Sequence, residues 1–262
     1  MELKVGNIPI TSIKERPSRF TALFWGDAGC GKTTLAATAP GRKLLLNFDP
    51  DGPASIASRD DVDVADFSDS PHNIVEQFKK DNILGLEPAI EQYDTIIVDS
   101  LTNATFMCLQ QGISTTKGAK IERPSPGSYM ARNALTVQLV KRMLRLTAKH
   151  GKHCIFIAHE ATPTQSDDGV ILFITIMLGG QLPNDAPKDL SEVWAITDTG
   201  RQRRIAIRPV RLRKPCKTRM FTTTGAAEFE WKFDPETWEG HKIEDWWQEW
   251  LEGGKEKLSL PR

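Results

Sequence analysis

The chain has 262 residues, 39% of them hydrophobic and 26% charged. This excludes a disordered chain and leaves room for one large domain or two small ones. Lys+Arg and Asp+Glu each number 34, so net charge excludes neither nucleic acid nor protein partners. The four cysteines stand far apart, at 30, 108, 154 and 216, which excludes a CxxC zinc site or a disulfide frame and reads as reduced thiols.

Residues 1–18 are polar with two prolines and read as an N-terminal arm. They lack the apolar core of a signal peptide. No apolar run in the chain is long enough to span a bilayer, and a cytoplasmic protein with no membrane partner is expected. Residues 19–25 are short, apolar and aromatic, a buried strand by pattern. They lead into Gly26-Asp27-Ala28-Gly29-Cys30-Gly31-Lys32-Thr33, which fits the phosphate-loop pattern G-x-x-x-x-G-K-[ST]. A helix start from Thr34 to Ala39 follows and stops at Pro40-Gly41. Strand, glycine loop and helix together are the context the pattern requires. The loop curls its N–H groups around phosphate oxygens, and the helix adds the positive end of its dipole. Gly26 to Thr33, with Thr34, are therefore the expected ATP ligands. Lys32 serves the β- and γ-phosphates, and the Thr33 hydroxyl serves Mg²⁺.

Residues 43–48 form a second apolar strand ending in Asp49-Pro50-Asp51-Gly52. Acids at this end of a strand face the nucleotide in α/β sheets, although the tetrapeptide also makes a good turn. Residues 61–67 read as a short edge strand. Ser70-Pro71 opens a helix that ends near Asp81. The run Ile96-Ile97-Val98-Asp99 has the Walker B form, with Asp99 a magnesium ligand or, alternatively, a cap of the next helix. Residues 101–111 look helical. Residues 112–127 read as a long, mildly basic loop, either a nucleic acid contact or a solvated one. A long amphipathic helix is expected from Ser128 to His150, then a strand from His153 to Ala158 ending in His159-Glu160. His159 is either structural or a sensor of the γ-phosphate.

Residues 170–178 are β-rich, and Ser191 to Thr197 is another strand. Residues 199–227 hold nine Arg and Lys and no acid. This density suits a nucleotide or partner contact, or a strand with one solvated face. The remainder, 228–262, is acidic and tryptophan-rich. Its Asp245-Trp246-Trp247-Gln248-Glu249-Trp250 reads as a helix packed on the core, not as a base-stacking surface. The expected division is an arm (1–18), a core (19–227) and a tail packed on the core (228–262). The fold class is α/β, with a mostly parallel sheet flanked by helices.

The phosphate loop, Asp49-Pro50-Asp51, the strand ending in Asp99 and the strand ending in His159 together resemble the RecA-like P-loop ATPases. The likeness is greatest to core-only, phage-encoded members of the RecA/RadA type, a group of phage nucleotide-binding or AAA-type ATPases. It covers about residues 19–222. The resemblance implies a phage protein of the bacterial host cytoplasm that acts on single-stranded DNA in recombination or strand annealing. It implies a homo-oligomer, ring or filament, and a single-strand-binding protein or other recombination protein as partner. Residue by residue, it makes Lys32 and Thr33 the loop lysine and magnesium hydroxyl, and Asp99 the Walker B acid. Asp51 falls at the place of the catalytic glutamate, one methylene shorter. His159 falls at the place of the polar switch, and Lys217 and Arg219 match a Lys-x-Arg pair that reaches a neighbour's γ-phosphate. Residues 112–127 and 161–178 correspond to DNA-facing loops. The rival readings are a helicase loader or DNA motor, a small-molecule P-loop kinase, and a nucleotide-gated module that does not hydrolyse.

Overall fold

The structure is a computed structural model that describes residues 4–6, 8–10, 12, 18–50, 52–68 and 85–261. The expected helix after Ser70-Pro71 lies outside the described residues. Two short strands, β1 (Lys4–Val5) and β2 (Ile8–Pro9), pair antiparallel in the arm. The main sheet has eight strands. They are β3 (Thr21–Gly26), β4 (Lys43–Asn47), β5 (Val62–Asp66), β6 (Thr95–Asp99), β7 (His153–His159), β10 (Glu192–Asp198), β11 (Arg203–Ala206) and β12 (Glu228–Glu230). Between β7 and β10 lies a hairpin of β8 (Thr164–Gln165) and β9 (Ile171–Phe173). The sheet order is β12-β11-β10-β3-β7-β6-β4-β5. The six strands from β10 to β5 run parallel, and β11 and β12 add antiparallel pairings at the far edge. The mostly parallel α/β sheet expected from the sequence is the one observed.

The apolar strands are continuous because both faces of the sheet are covered. Leu23 and Trp25 face one core while Ala22 and Phe24 face the other, and the same alternation repeats in β6, β7 and β10. One face packs against helices α2 (Leu101–Thr115) and α3 (Pro126–Lys149). The opposite face packs against α1 (Lys32–Ala37) and α4 (Ile243–Glu252).

Two expectations are corrected. Residues 112–127 are not one long loop: α2 continues to Thr115 and α3 starts at Pro126, which leaves residues 116–125 between them. Gly112 reads as a helix breaker in sequence, yet it is a packing residue. A Cβ there would lie 2.4 Å from the Ser128 carbonyl oxygen on α3, so only glycine lets the two helices approach this closely. The hydroxyls of Thr115 and Thr116 donate to the carbonyls of Gln111 and Gly112, which satisfies acceptors at the helix end. The start of α3 also lies earlier than Ser128. Ser125 caps it, accepting from the Ser128 N–H, and Pro126 takes the first helical position.

Candidate nucleotide site

The phosphate loop leaves the carboxyl end of β3 in the middle of the sheet, where ligands bind in open α/β folds. Gly26 pairs in register with His159 on the β7 side and with Ile196 on the β10 side. A Cβ on Gly26 would lie 2.1 Å from the Ile196 carbonyl oxygen, and Gly31 caps α1 with φ +95. Both positions therefore require glycine, one by contact and one by conformation. The Lys32 ammonium is buried and spans the loop. It donates to the carbonyls of Gly26 at 3.1 Å and Asp27 at 2.6 Å. Cys30 is also buried, and burial pushes its thiol above the usual range.

Thr33 and Asp99 meet as the motif requires. The Thr33 hydroxyl donates to Asp99 Oδ2 at 2.6 Å. Asp99 is 3% exposed, and burial pushes its carboxyl up to about 6 despite the Thr33 bond; the charge of nearby Asp49 pushes the same way. Asp49 moves in the opposite direction. Burial works against its charge, but hydrogen bonds from His159, Ser100 and Asn103 outweigh burial and hold it below the usual carboxylate range. Ser100 Oγ and Asn103 Nδ2 donate to Asp49 Oδ1 at 2.7 and 2.6 Å, and His159 Nε2 lies 3.1 Å from Asp49 Oδ2. The helix cap is Ser100, whose hydroxyl accepts from the Asn103 N–H. Asp99 is thus left to Thr33. Ser100 and Asn103 were not legible as site residues in the sequence, since a capping serine carries no signal that its hydroxyl also holds an acid from another strand. Asp51 lies outside the described residues.

These groups suit a magnesium–nucleoside triphosphate. Loop amides and an ammonium suit phosphates, and a hydroxyl beside a single carboxylate suits Mg²⁺, which is commonly held by one or two carboxylates with substrate phosphates. Among the described residues no group of three His, Cys, Asp or Glu forms a separate metal site.

The basic segment, contiguous in sequence, is scattered by the fold. Arg204 and Arg211 pair with Glu228, Arg213 pairs with Glu160, and Arg208 donates to the Thr223 carbonyl. With Arg203 on Asp198, four of the nine cations form ion pairs among the described residues. Lys217 and Arg219 sit elsewhere. Lys217 bridges Val193, near the amino end of β10 and three residues before the partner of Gly26, and its ammonium is turned to the Lys188 carbonyl. Buried Glu192 fixes this turn by accepting from the N–H groups of Arg219 and Met220. Exposed Arg219 lines a cavity of about 770 Å³ with Lys141, Arg145 and Lys255, none of which forms an ion pair among the described residues. Lys217 and Arg219 therefore cannot serve the phosphate loop of their own chain.

Residues 18–224 match the model of a family described as an AAA domain, AAA_24. Among solved structures, the chain is similar to the KaiC-like protein from the hyperthermophilic archaeon Pyrococcus horikoshii OT3. The two share 14% identity over 82% of this chain and 86% of the other, with a TM-score of 0.43. No curated protein matches the sequence. No helix among the described residues is long and apolar enough to cross a membrane.

Proposed function

The chain belongs to the AAA domain family AAA_24, and on that premise we propose an ATP-hydrolysing phage protein that works as an oligomer on single-stranded DNA in recombination or strand annealing. The observation that carries the hydrolytic reading is the contact of Thr33 with Asp99 beside Lys32 and the Asp49–His159 pair. Thr33 and Asp99 are the residues to hold Mg²⁺, which supplies charge neutralisation at the phosphate oxygens. Lys32 exchanges its loop carbonyls for phosphate oxygens. Both oxygens of Asp49 are occupied, so Asp49 organises the site, and Asp51 is left to orient the attacking water. The Asp49–His159 pair joins that segment to the end of β7. Arg219 of a neighbouring copy supplies charge to the transition state; such an arginine can raise turnover by about 10³-fold or more. The exposed cations around Arg219, far from their own loop, support a role in trans.

The test is ATP turnover with and without single-stranded DNA at low and moderate salt. Lys32→Ala is expected to abolish turnover, and wild-type turnover is expected to rise with DNA and lose that stimulation as salt increases. Unchanged turnover in Lys32→Ala removes the site assignment. Turnover indifferent to DNA leaves an ATPase whose partner is a protein, as in a loader or motor, or a kinase whose acceptor is a small molecule.

A further inference from the structure

The phosphate loop has two flanks, and the hydrolytic groups occupy one. His159 and Asp99 end β7 and β6 and Asp49 follows β4, all on the same side of β3. On the other side, the start of β11 and the end of β12 bring two further residues against the loop. A Cβ built on Gly31 would lie 3.0 Å from Cζ3 of Trp231 and 3.6 Å from Cδ and Nε of Arg203. The next residue along the loop is Lys32.

Arg203 is held in place but not used up. Its Nε donates to Asp198 Oδ2 at 3.2 Å, and its guanidinium stands 5.9 Å from the centre of the Trp231 ring. Its side chain is 29% exposed, and its terminal Nη groups form no further ion pair among the described residues. The Trp231 ring is itself fixed. Its Nε1 donates to the His241 carbonyl at 2.9 Å, and Phe233 stacks on it at 5.2 Å with planes 9° apart. Trp231 is thus a rigid, buried platform that aims a cation at the rim of the phosphate loop. Such a guanidinium, oriented in advance, loses little entropy on meeting an anion.

We propose that Arg203, seated on Trp231 and tethered by Asp198, binds the nucleotide in cis at its α-phosphate and nucleoside end. The assignment to that end follows from the two flanks: the groups for the γ-phosphate lie across the loop on the β7 side. The inference rests on the phosphate-loop reading and adds a residue that no motif identifies. Because Arg203 serves a part common to ATP and ADP, it contributes binding that is equal in ground and transition states.

The experiment measures affinity for Mg–ATP and Mg–ADP, with tryptophan emission as the signal, in wild type, Lys32→Ala, Arg203→Gln and Arg203→Lys. Thermal melts without nucleotide check folding. Arg203→Gln is expected to weaken ATP and ADP alike, by about tenfold to a hundredfold, the range for a hydrogen bond to a charged group. The maximal turnover rate should stay near wild type, and Arg203→Lys should recover part of the affinity. Arg203→Gln with wild-type affinity, alongside a Lys32→Ala protein that no longer binds, overturns this inference and leaves the phosphate loop in place. Loss confined to ATP overturns the assignment to the α-phosphate end. Wild-type affinity in Lys32→Ala overturns the phosphate-loop reading and this inference with it. Should Arg203→Gln melt early, Arg203→Lys alone decides, since it keeps the packing stem and changes only the fork.

Discussion

His153 shows how a single half-buried residue makes stability depend on pH. Its Nδ1 accepts from the Phe20 N–H at 2.8 Å, and burial pulls its pKa down to about 4. The unfolded value is about 6.5. Above pH 6.5 the ring is neutral in both states and contributes no slope. Between 6.5 and 4 the unfolded chain takes up a proton that the folded ring refuses, so stability falls as pH falls. Asp99 acts in the opposite sense. Its carboxyl is raised to about 6, so below that pH the folded state holds a proton that the unfolded chain still releases, and stability rises until about pH 3.8. The two slopes oppose each other in the wild-type protein. His153→Asn separates them, since Asn keeps an acceptor near Nδ1 and cannot titrate. Relative to wild type, it is expected to gain about 2 kcal/mol between pH 7 and 4.5. Urea titrations at the two pH values read this directly, and parallel behaviour of the two proteins would refute it.

At the scale of elements, helix ends and helix contacts separate what was legible from what was not. The strands β3, β4, β6, β7 and β10 are apparent in the sequence because each is an apolar run that ends at a polar or glycine residue. A strand buried on both faces needs that composition. The α2–α3 pair was not legible. Gly112 and the Ser-Thr-Thr run after it look like a loop, yet the glycine is the contact point of two helices, and only the neighbouring helix shows this. Gly112→Ala would push a methyl group into the Ser128 carbonyl and is expected to cost about 1–3 kcal/mol. A melting temperature lowered by several degrees is the expected result, and an unchanged or raised one would show that the helices have room to separate.

For the whole molecule, the acidic, tryptophan-rich segment is part of the frame that holds the phosphate loop. β12 completes the far edge of the main sheet. Trp231 packs on Gly31 at the start of α1, and at its other end Thr38 receives the first turn of α4. The Ile243 N–H donates to the Thr38 hydroxyl and the Glu244 N–H to its carbonyl. Trp246 fills the core beneath, in edge contact with Trp194, Phe221 and Phe229 at 5.4 to 6.1 Å. Removing that ring leaves a large cavity, and Trp246→Ala is expected to cost about 3–5 kcal/mol. Denaturant unfolding measures the loss. A cost below 1 kcal/mol would mean that the segment rests on the core without supporting it.

Local spacing marked the phosphate loop, the buried strands and Lys32, Thr33 and Asp99 as candidate site residues, because glycine conformation, strand burial and metal chemistry each restrict the residue types at adjoining positions. The α/β class followed from the same runs. Tertiary structure decided what lies beside what. It joined Asp49 to His159, Ser100 and Asn103, which are up to 110 residues apart. It divided one basic segment between internal ion pairs, the rim of the phosphate loop and the opposite end of the sheet. It also set Trp231 and Arg203 against Gly31. Contacts of this kind depend on strand order and register, and residues distant in the chain carry no local pattern that reports them.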